Sequence, residues 1–507
     1  MTSSSHGYDM SAGYTYGFCP EMAPDWLDLA ARLAGHAPAR RASGAPFRYL
    51  ELGCGQGMGL CLLAAANPHG EFLGVDFLPE HVDHGRAIAE AAGLTNIRFS
   101  DGDFVALAAD WPTEFGQFDY VTLHGVYSWI TPMVREALVR CLGQATKPTG
   151  LVYIGYNAQP GWLGTVPFRH ISRLIKDVSG QPSDVVLQDS IALFDRLATG
   201  GATSFQILPG LKARLAAVKR QSSNYLIHEY LHEGWHPLWH SEVLKEVGTA
   251  GLSFVGSASL AETLLPGALP PALRATIEDQ AAETLRMDVQ DLVINQSFRR
   301  DIFRPLLHTM PPPDPKALDA VRLHLMTPVA GDALSITTSF SEITLQRPAY
   351  EEIVADLAAG PRAIADLVAL PSMRKQGRTN AMQILALLLH ARTLAVGPAQ
   401  AAPLQAAERL NRVIARAVSD GLPYDHLSAA KLGSAVAASE LDLLLLDQWL
   451  GGGDDRDAAA LATATEARLV QLGRPLNEPA ARAQLTDRAA AFLRQILPRW
   501  RSLGVLS

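Results

Sequence analysis

The stretch Tyr49-Leu-Glu-Leu-Gly-Cys-Gly-Gln-Gly-Met-Gly59 places an acidic residue directly ahead of four glycines at alternate positions. A buried strand that stops there feeds a turn whose backbone can approach a ligand closely, because glycine has no Cβ to clash. The helix that follows, MGLCLLAAA, aims its N-terminus at the same place. A pyrophosphate site has the spacing G-x-G-x-x-G. Here Gly53, Gly55, Gly57 and Gly59 alternate, Cys54 lies between the first two, and Glu51 precedes them. A carboxylate at that point repels a pyrophosphate and suits a ligand with an ammonium and a sulfonium. S-adenosylmethionine is such a ligand.

Two further strand ends add to the pattern. EFLGVD ends at Asp76, followed by Phe77, where a carboxylate in this topology takes both ribose hydroxyls. No Arg or Lys follows Asp76 to hold a phosphate, which speaks against NADP. In SDGDF, Asp103 is placed to accept from the adenine amino group, with Phe104 beside the ring. A nicotinamide dinucleotide site or a purely structural sheet is the competing reading.

The methyl acceptor is expected at the end of the fourth strand, HGVYSWI. Tyr127 and Trp129 are candidates for an aromatic wall that favours a protonated or methylated amine, or else they pack under the next helix. His124 is a candidate base and cofactor neighbour. Asn157 and Trp162 follow the fifth strand and face the same mouth, Asn157 as an orienting group for an acceptor nitrogen. HEYLH supplies His228, Glu229 and His232 in formal H-E-x-x-H order, but no third ligand is evident, and no metal is expected. Glu229 and Tyr230 are read as closing the acceptor side. The aromatics Tyr8, Tyr14, Tyr16 and Phe18 can fold over the cofactor as a lid or simply pack.

The elements that must hold these groups are legible as periodicity. Strands are expected at 47–52, 71–76, 96–100, 118–124 and 150–156 with helices between them, a Rossmann-like α/β pattern. A helical insertion is expected at 163–222, with further strands of the same sheet in 225–260. The expected domains are 1–265 for the cofactor, a regulatory or middle region of mixed α+β type at 266–400 with a winged-helix-like unit near 350–398, and an all-helical end at 401–507. The middle and end are expected to recognise substrate or to form a homodimer.

Composition narrows the classes. At 48% hydrophobic and 19% charged residues the chain is ordinary for a globular protein. A net charge of −8, with RKQGR (374–378) as the basic cluster of the winged-helix-like unit, argues against nucleic acid as a partner. No window approaches a membrane span. The four cysteines form neither a disulfide framework nor a zinc pattern, and the N-terminus has no export signal. A cytoplasmic location is expected.

ELGCGQG, GVD, GVYSWITP and YNAQPGW resemble a class I methyltransferase. With YTYGFCPEMAPDWLDLAARLAG, YLIHEYL, NQSFRRDIF, LNRVIARAV and LSAAKLGSAV, the chain further resembles bacterial methyltransferases that carry a regulatory domain, a group that includes rickettsial protein lysine methyltransferases. HEGWHPLW (232–239) departs from that group in being richer in His and Trp. The resemblance implies methylation of a protein lysine. A small-molecule N- or O-methyltransferase and a non-catalytic protein- or DNA-binding regulator are the alternatives.

Overall fold

The computed structural model describes residues 16–40, 44–221, 223–232, 234–263, 265–306, 314–329, 331–338, 341–452 and 457–507. Seven strands form the principal sheet: β1 (Phe47–Leu52), β2 (Gly70–Asp76), β3 (Ile97–Asp101), β4 (Phe118–His124), β5 (Thr146–Asn157), β6 (Leu252–Ser257) and β7 (Phe298–Pro305). Their order is β3-β2-β1-β4-β5-β7-β6. The first five run parallel and β7 is antiparallel to both of its neighbours. Helices cover both faces: α1 (Pro24–Leu33), α2 (Met58–Ala66), α3 (Pro79–Ala91), α4 (Phe104–Ala109) and α5 (Pro132–Ala145). With both faces covered, strands such as β4 are buried at nearly every position rather than alternating.

The order reverses between β1 and β4, so the carboxyl ends of these two strands open a crevice outside the sheet. The glycine loop after β1 lies on that edge. The expected insertion is helical: α6 (Val166–Ser179), α7 (Ser183–Thr199), α8 (Thr203–Ile207), α9 (Pro209–Val218) and α10 (Ser223–Leu231). These helices share a core of their own around Phe168, Phe194 and Tyr230. Helix α11 (His240–Gly248) then returns the chain to β6.

The expected boundary at 265 is corrected by β7. This strand sits between β5 and β6, so the sheet needs residues as far as Pro305, and a chain ending at 265 leaves β6 without its neighbour. Periodicity hid it because Phe298–Pro305 is rich in charge. Inside the protein Arg299 and Asp301 pair with each other and become buried together, at 1% and 0% exposure.

The middle region forms a winged-helix-like unit, with strands at Arg322–Leu325, Arg362–Ala363 and Leu394–Gly397 in one small sheet and helices between them. The all-helical expectation for 401–507 is also corrected. His426–Ala429 and Ser434–Ala437 form a hairpin. It docks on α2, where Ser428 Oγ donates to Leu62 O at 2.9 Å and Asn67 Nδ2 donates to Gly433 O at 2.8 Å.

Candidate active site

The glycine loop after β1 adopts left-handed backbone at Gly53, Gly55 and Gly57, with φ of 73°, 53° and 72°. A Cβ on Gly53 would stand 2.5 Å from Val126 Cγ2. A side chain is thus excluded on both conformational and steric grounds. The loop floors a cavity of about 220 Å3, whose walls include Glu51, Cys54, Gln56, His124, Tyr16 and Phe18.

Glu51 reaches this cavity with no hydrogen bond or ion pair among the described residues. Burial, reinforced by Asp76, pushes its carboxyl up to about 8. A carboxyl in that position is stabilised by an incoming cation. Asp76 binds the loop itself: Oδ2 accepts from Gly55 N at 2.8 Å and Oδ1 from Leu78 N at 3.0 Å. His81 Nδ1 lies 3.2 Å from Oδ1. Asp103 caps α4, accepting from Val105 N at 2.9 Å, and Phe104 is buried beneath α5. Phe77, Asp103 and Phe104 do not line the cavity in this structure.

His124 ends β4 opposite Gly155 of β5. A Cβ on Gly155 would stand 2.6 Å from His124 Nδ1, so this strand glycine is what admits the ring. The Tyr153 hydroxyl lies 2.9 Å from the same nitrogen, and Cys19 Sγ lies 3.6 Å from that hydroxyl. Burial and the nearby Arg300 guanidinium hold the imidazole down to about 4, so it is neutral at ordinary pH.

Tyr127 is corrected as an acceptor-wall residue. Its side chain is 0% exposed, its hydroxyl donates to Glu246 Oε2 of α11 at 2.6 Å, and Arg135 of α5 lies over its ring, so it packs beneath α5 and α11. Trp129 is half-buried with its ring edge toward His232, 5.9 Å between centroids. Asn157 and Trp162 stand together with Glu229, read from the sequence as closing the acceptor side, and with Trp235, which was not singled out as a site group. Asn157 Nδ2 donates to Glu229 Oε1 at 3.3 Å, and the same oxygen accepts from Trp235 Nε1 at 3.1 Å. Trp162 crosses Trp235 edge-on at 5.5 Å and donates its own N–H to Ser297 O at 2.6 Å. Tyr230 is sealed in the insertion core. The His228 side chain lies outside the described residues, and among those described no group of three His, Cys, Asp or Glu is arranged for a metal.

The N-terminal segment does cover the cavity at Tyr16, Gly17, Phe18, Cys19 and Met22. Tyr8 and Tyr14 lie outside the described residues. What the sequence did not indicate is that the C-terminal region pins this cover. Tyr16 packs on His84 and Tyr424 at 5.3 and 5.2 Å, and Phe18 on His426 at 5.4 Å. Glu21 pairs with Arg392 of the winged-helix-like unit. His84 Nδ1 lies 2.6 Å from the Gln56 carbonyl, to which it donates, while its Nε2 is 2.8 Å from the Tyr424 hydroxyl. Tyr424 thereby acts on the glycine loop through one imidazole. Tyr424→Phe should weaken S-adenosylhomocysteine binding roughly three- to tenfold in calorimetry, the usual size of one lost hydrogen bond. An unchanged Kd would show that the loop holds itself.

Residues 50–150 match the profile of a methyltransferase domain, and residues 222–304 match that of a predicted methyltransferase regulatory domain. Over 365 residues the chain is 35% identical to the uncharacterized protein sll1526 of Synechocystis sp., covering 72% of this chain and 71% of that one. The uncharacterized protein RP789 of Rickettsia prowazekii is 27% identical over 259 residues, half of this chain and 45% of its own length. The chain belongs to the class I S-adenosylmethionine-dependent methyltransferases with a regulatory domain. PKMT2 from Rickettsia typhi in complex with AdoHcy shares the fold, with a TM-score of 0.70 and 17% identity over 97% of this chain and 99% of that one.

In this methyltransferase the regulatory stretch is no appendage. It carries α11 and the antiparallel pair β6 and β7, and so completes the catalytic sheet. The cradle fits the cofactor: three left-handed glycines let backbone approach, and the Glu51 carboxyl lacks a cation that the sulfonium nucleoside carries. When bound, S-adenosylmethionine supplies an electrophilic methyl group on its sulfonium. The chain's part is to position the acceptor and, through Tyr16 and Phe18, to exclude water.

Proposed function

We propose that this methyltransferase acts on an amine, the side chain of a protein lysine. The observation that carries this reading is the state of His124. It is the titratable group at the end of β4 where the acceptor should enter, and burial with Arg300 holds it too weak to take a proton from a hydroxyl near neutral pH. Methylation of an alcohol hydroxyl requires such a base. An amine needs only to arrive unprotonated, which a desolvated mouth promotes by lowering its pKa. The positioning of the acceptor is assigned to Trp162, Trp235, Asn157 and Glu229, a buried cluster around the end of β5. The resemblance to rickettsial protein lysine methyltransferases points the same way. Tyr127, sealed in the core, has no direct part in it.

The test is transfer of a radiolabelled methyl group into a cell extract split into protein and small-molecule fractions, followed by peptide mass spectrometry. Label on lysine is expected. His124→Gln should reduce turnover only a few-fold, because a lost positioning contact is smaller than a lost base. Label confined to small molecules, with a loss of roughly a hundredfold or more for His124→Gln, would favour an O-methyltransferase.

A further inference from the structure

The cover over the cofactor cavity is tied to a unit outside the catalytic sheet. Residues 16–19 carry no helix or strand, and the turn Pro20–Met22 joins them to α1. Their root is firm: the Tyr49 hydroxyl donates to Met22 O at 3.0 Å, and Trp26 Nε1 of α1 donates to Ala258 O at 2.8 Å. Cys19, in the cavity wall, donates its thiol proton to Glu21 Oε2 at 3.1 Å, since burial pushes that thiol up to about 12. The other oxygen, Glu21 Oε1, accepts from the Arg392 guanidinium of the winged-helix-like unit, 371 positions further along the chain. One carboxylate therefore joins the cover to that unit. Although burial opposes it, Arg392 and Arg300 hold the Glu21 carboxyl below its ordinary range, so the pair is ionised. From Cys19 the contacts continue through the Tyr153 hydroxyl to His124 at the end of β4.

Arg392 occupies its place under strain. It lies in the turn ahead of the strand Leu394–Gly397 with φ of 57°, left-handed backbone that disfavours any residue with a Cβ. Glycine suits such a turn best, so what arginine adds is a side chain that reaches α1 and Glu21. Its guanidinium lies 4.6 Å over the Trp26 ring while it pairs with Glu21. The space under the cover is small. At about 220 Å3 it falls below the roughly 300–1,000 Å3 of pockets that enclose a small-molecule ligand. Entry and exit of the nucleoside therefore go with a shift of residues 16–19.

We propose that the Glu21–Arg392 pair is the latch of this cover, so that the winged-helix-like unit sets the rate at which S-adenosylmethionine enters and S-adenosylhomocysteine leaves. The pair is already made in the ligand-free protein, so it gates passage rather than adding a contact to the nucleoside. Releasing it lowers the barrier to entry and exit together and leaves the equilibrium between them nearly where it was. A displacement of the turn that carries Arg392 acts on product release through this one pair. The latch is independent of which acceptor receives the methyl group.

The test is surface plasmon resonance with the full chain immobilised and S-adenosylhomocysteine in the flow, which reads both rate constants. Arg392→Gly removes the latch and gives the backbone the residue it prefers, while Glu21→Gln removes the charge and keeps the shape. Each should raise association and dissociation together by about tenfold, the size of a charge-assisted hydrogen bond, with Kd moving less than about threefold. The double variant should be no faster than either single one, because both remove the same interaction. In the parent protein the two rates should climb with salt, which screens the pair, and in the variants they should not. Faster dissociation with unchanged association would make the pair a binding contact and overturn the latch. So would parent-like rates in either variant, or effects that multiply in the double one.

Discussion

Glu51→Gln is expected to weaken S-adenosylmethionine binding by roughly a hundredfold, the loss of a charge-assisted interaction in a partly enclosed site. The mechanism also sets a pH signature. With its carboxyl pushed up to about 8, Glu51 is protonated in much of the ligand-free protein at pH 7. A bound cation favours the carboxylate, so binding must release a proton between the liganded and unliganded pKa values. Affinity therefore rises with pH and levels off above about 8. Calorimetry in buffers of different ionisation enthalpy reads that proton directly, and Glu51→Gln should abolish it. The same residue acts on stability with the opposite sign to a paired carboxylate. Its folded pKa lies above the unfolded value, so its contribution to the native state is full at low pH and is lost as pH rises toward 8. Glu51→Gln should accordingly stabilise the ligand-free protein at pH 8 and not at pH 4. Proton release persisting in the variant would place the titrating group elsewhere.

Arg299→Met is expected to destabilise the fold by about 3–5 kcal/mol, the cost of breaking a buried ion pair from one side. Arg299 lies on β7 with Nε 2.9 Å from Asp301 Oδ2 and Nη1 2.6 Å from Asp291 Oδ1. Asp301 Oδ2 also accepts from the Tyr156 hydroxyl at 2.6 Å and lies 2.9 Å from His240 Nδ1. Strands β5 and β7, helix α11 and the helix ending at Ile294 thus meet on one guanidinium and one carboxylate. Removing the cation leaves Asp301 and Asp291 buried beside each other. Although burial opposes it, the Arg299 guanidinium holds the Asp301 carboxyl well below the usual carboxylate range. Because that pKa is depressed, the stabilisation is present above the unfolded value and is lost as pH falls through the folded one. Urea denaturation at neutral pH should show a large drop in midpoint for Arg299→Met and a smaller one for Asp301→Asn, which keeps the shape and one accepting oxygen and leaves Arg299 paired with Asp291. An unchanged midpoint for Arg299→Met would mean that β7 is held by its backbone ladder alone.

The sequence determined what depends on local chemistry. Glycines at 53, 55 and 57 signalled a turn whose backbone can approach a ligand, and all three adopt left-handed backbone that a side chain would strain. Glu51 and His124 signalled a site because charged or titratable groups at the ends of apolar strands are costly without a use, and both line one cavity. The order of apolar runs and helix-length patterns gave five parallel strands and a helical insertion. Tertiary structure decided everything that depends on partners distant in the chain. Phe298–Pro305 reads as a charged segment until Arg299 meets Asp291 and Asp301 inside the protein. Tyr127 reads as a wall residue until Glu246, 119 positions later, takes its hydroxyl into the core. Tyr424 acquires a role only because His84, 340 positions earlier, carries its hydrogen bond to the glycine loop. Desolvation and pairing set the energy of each of these groups, and both are properties of the assembled neighbourhood rather than of the residue or its near neighbours in the chain.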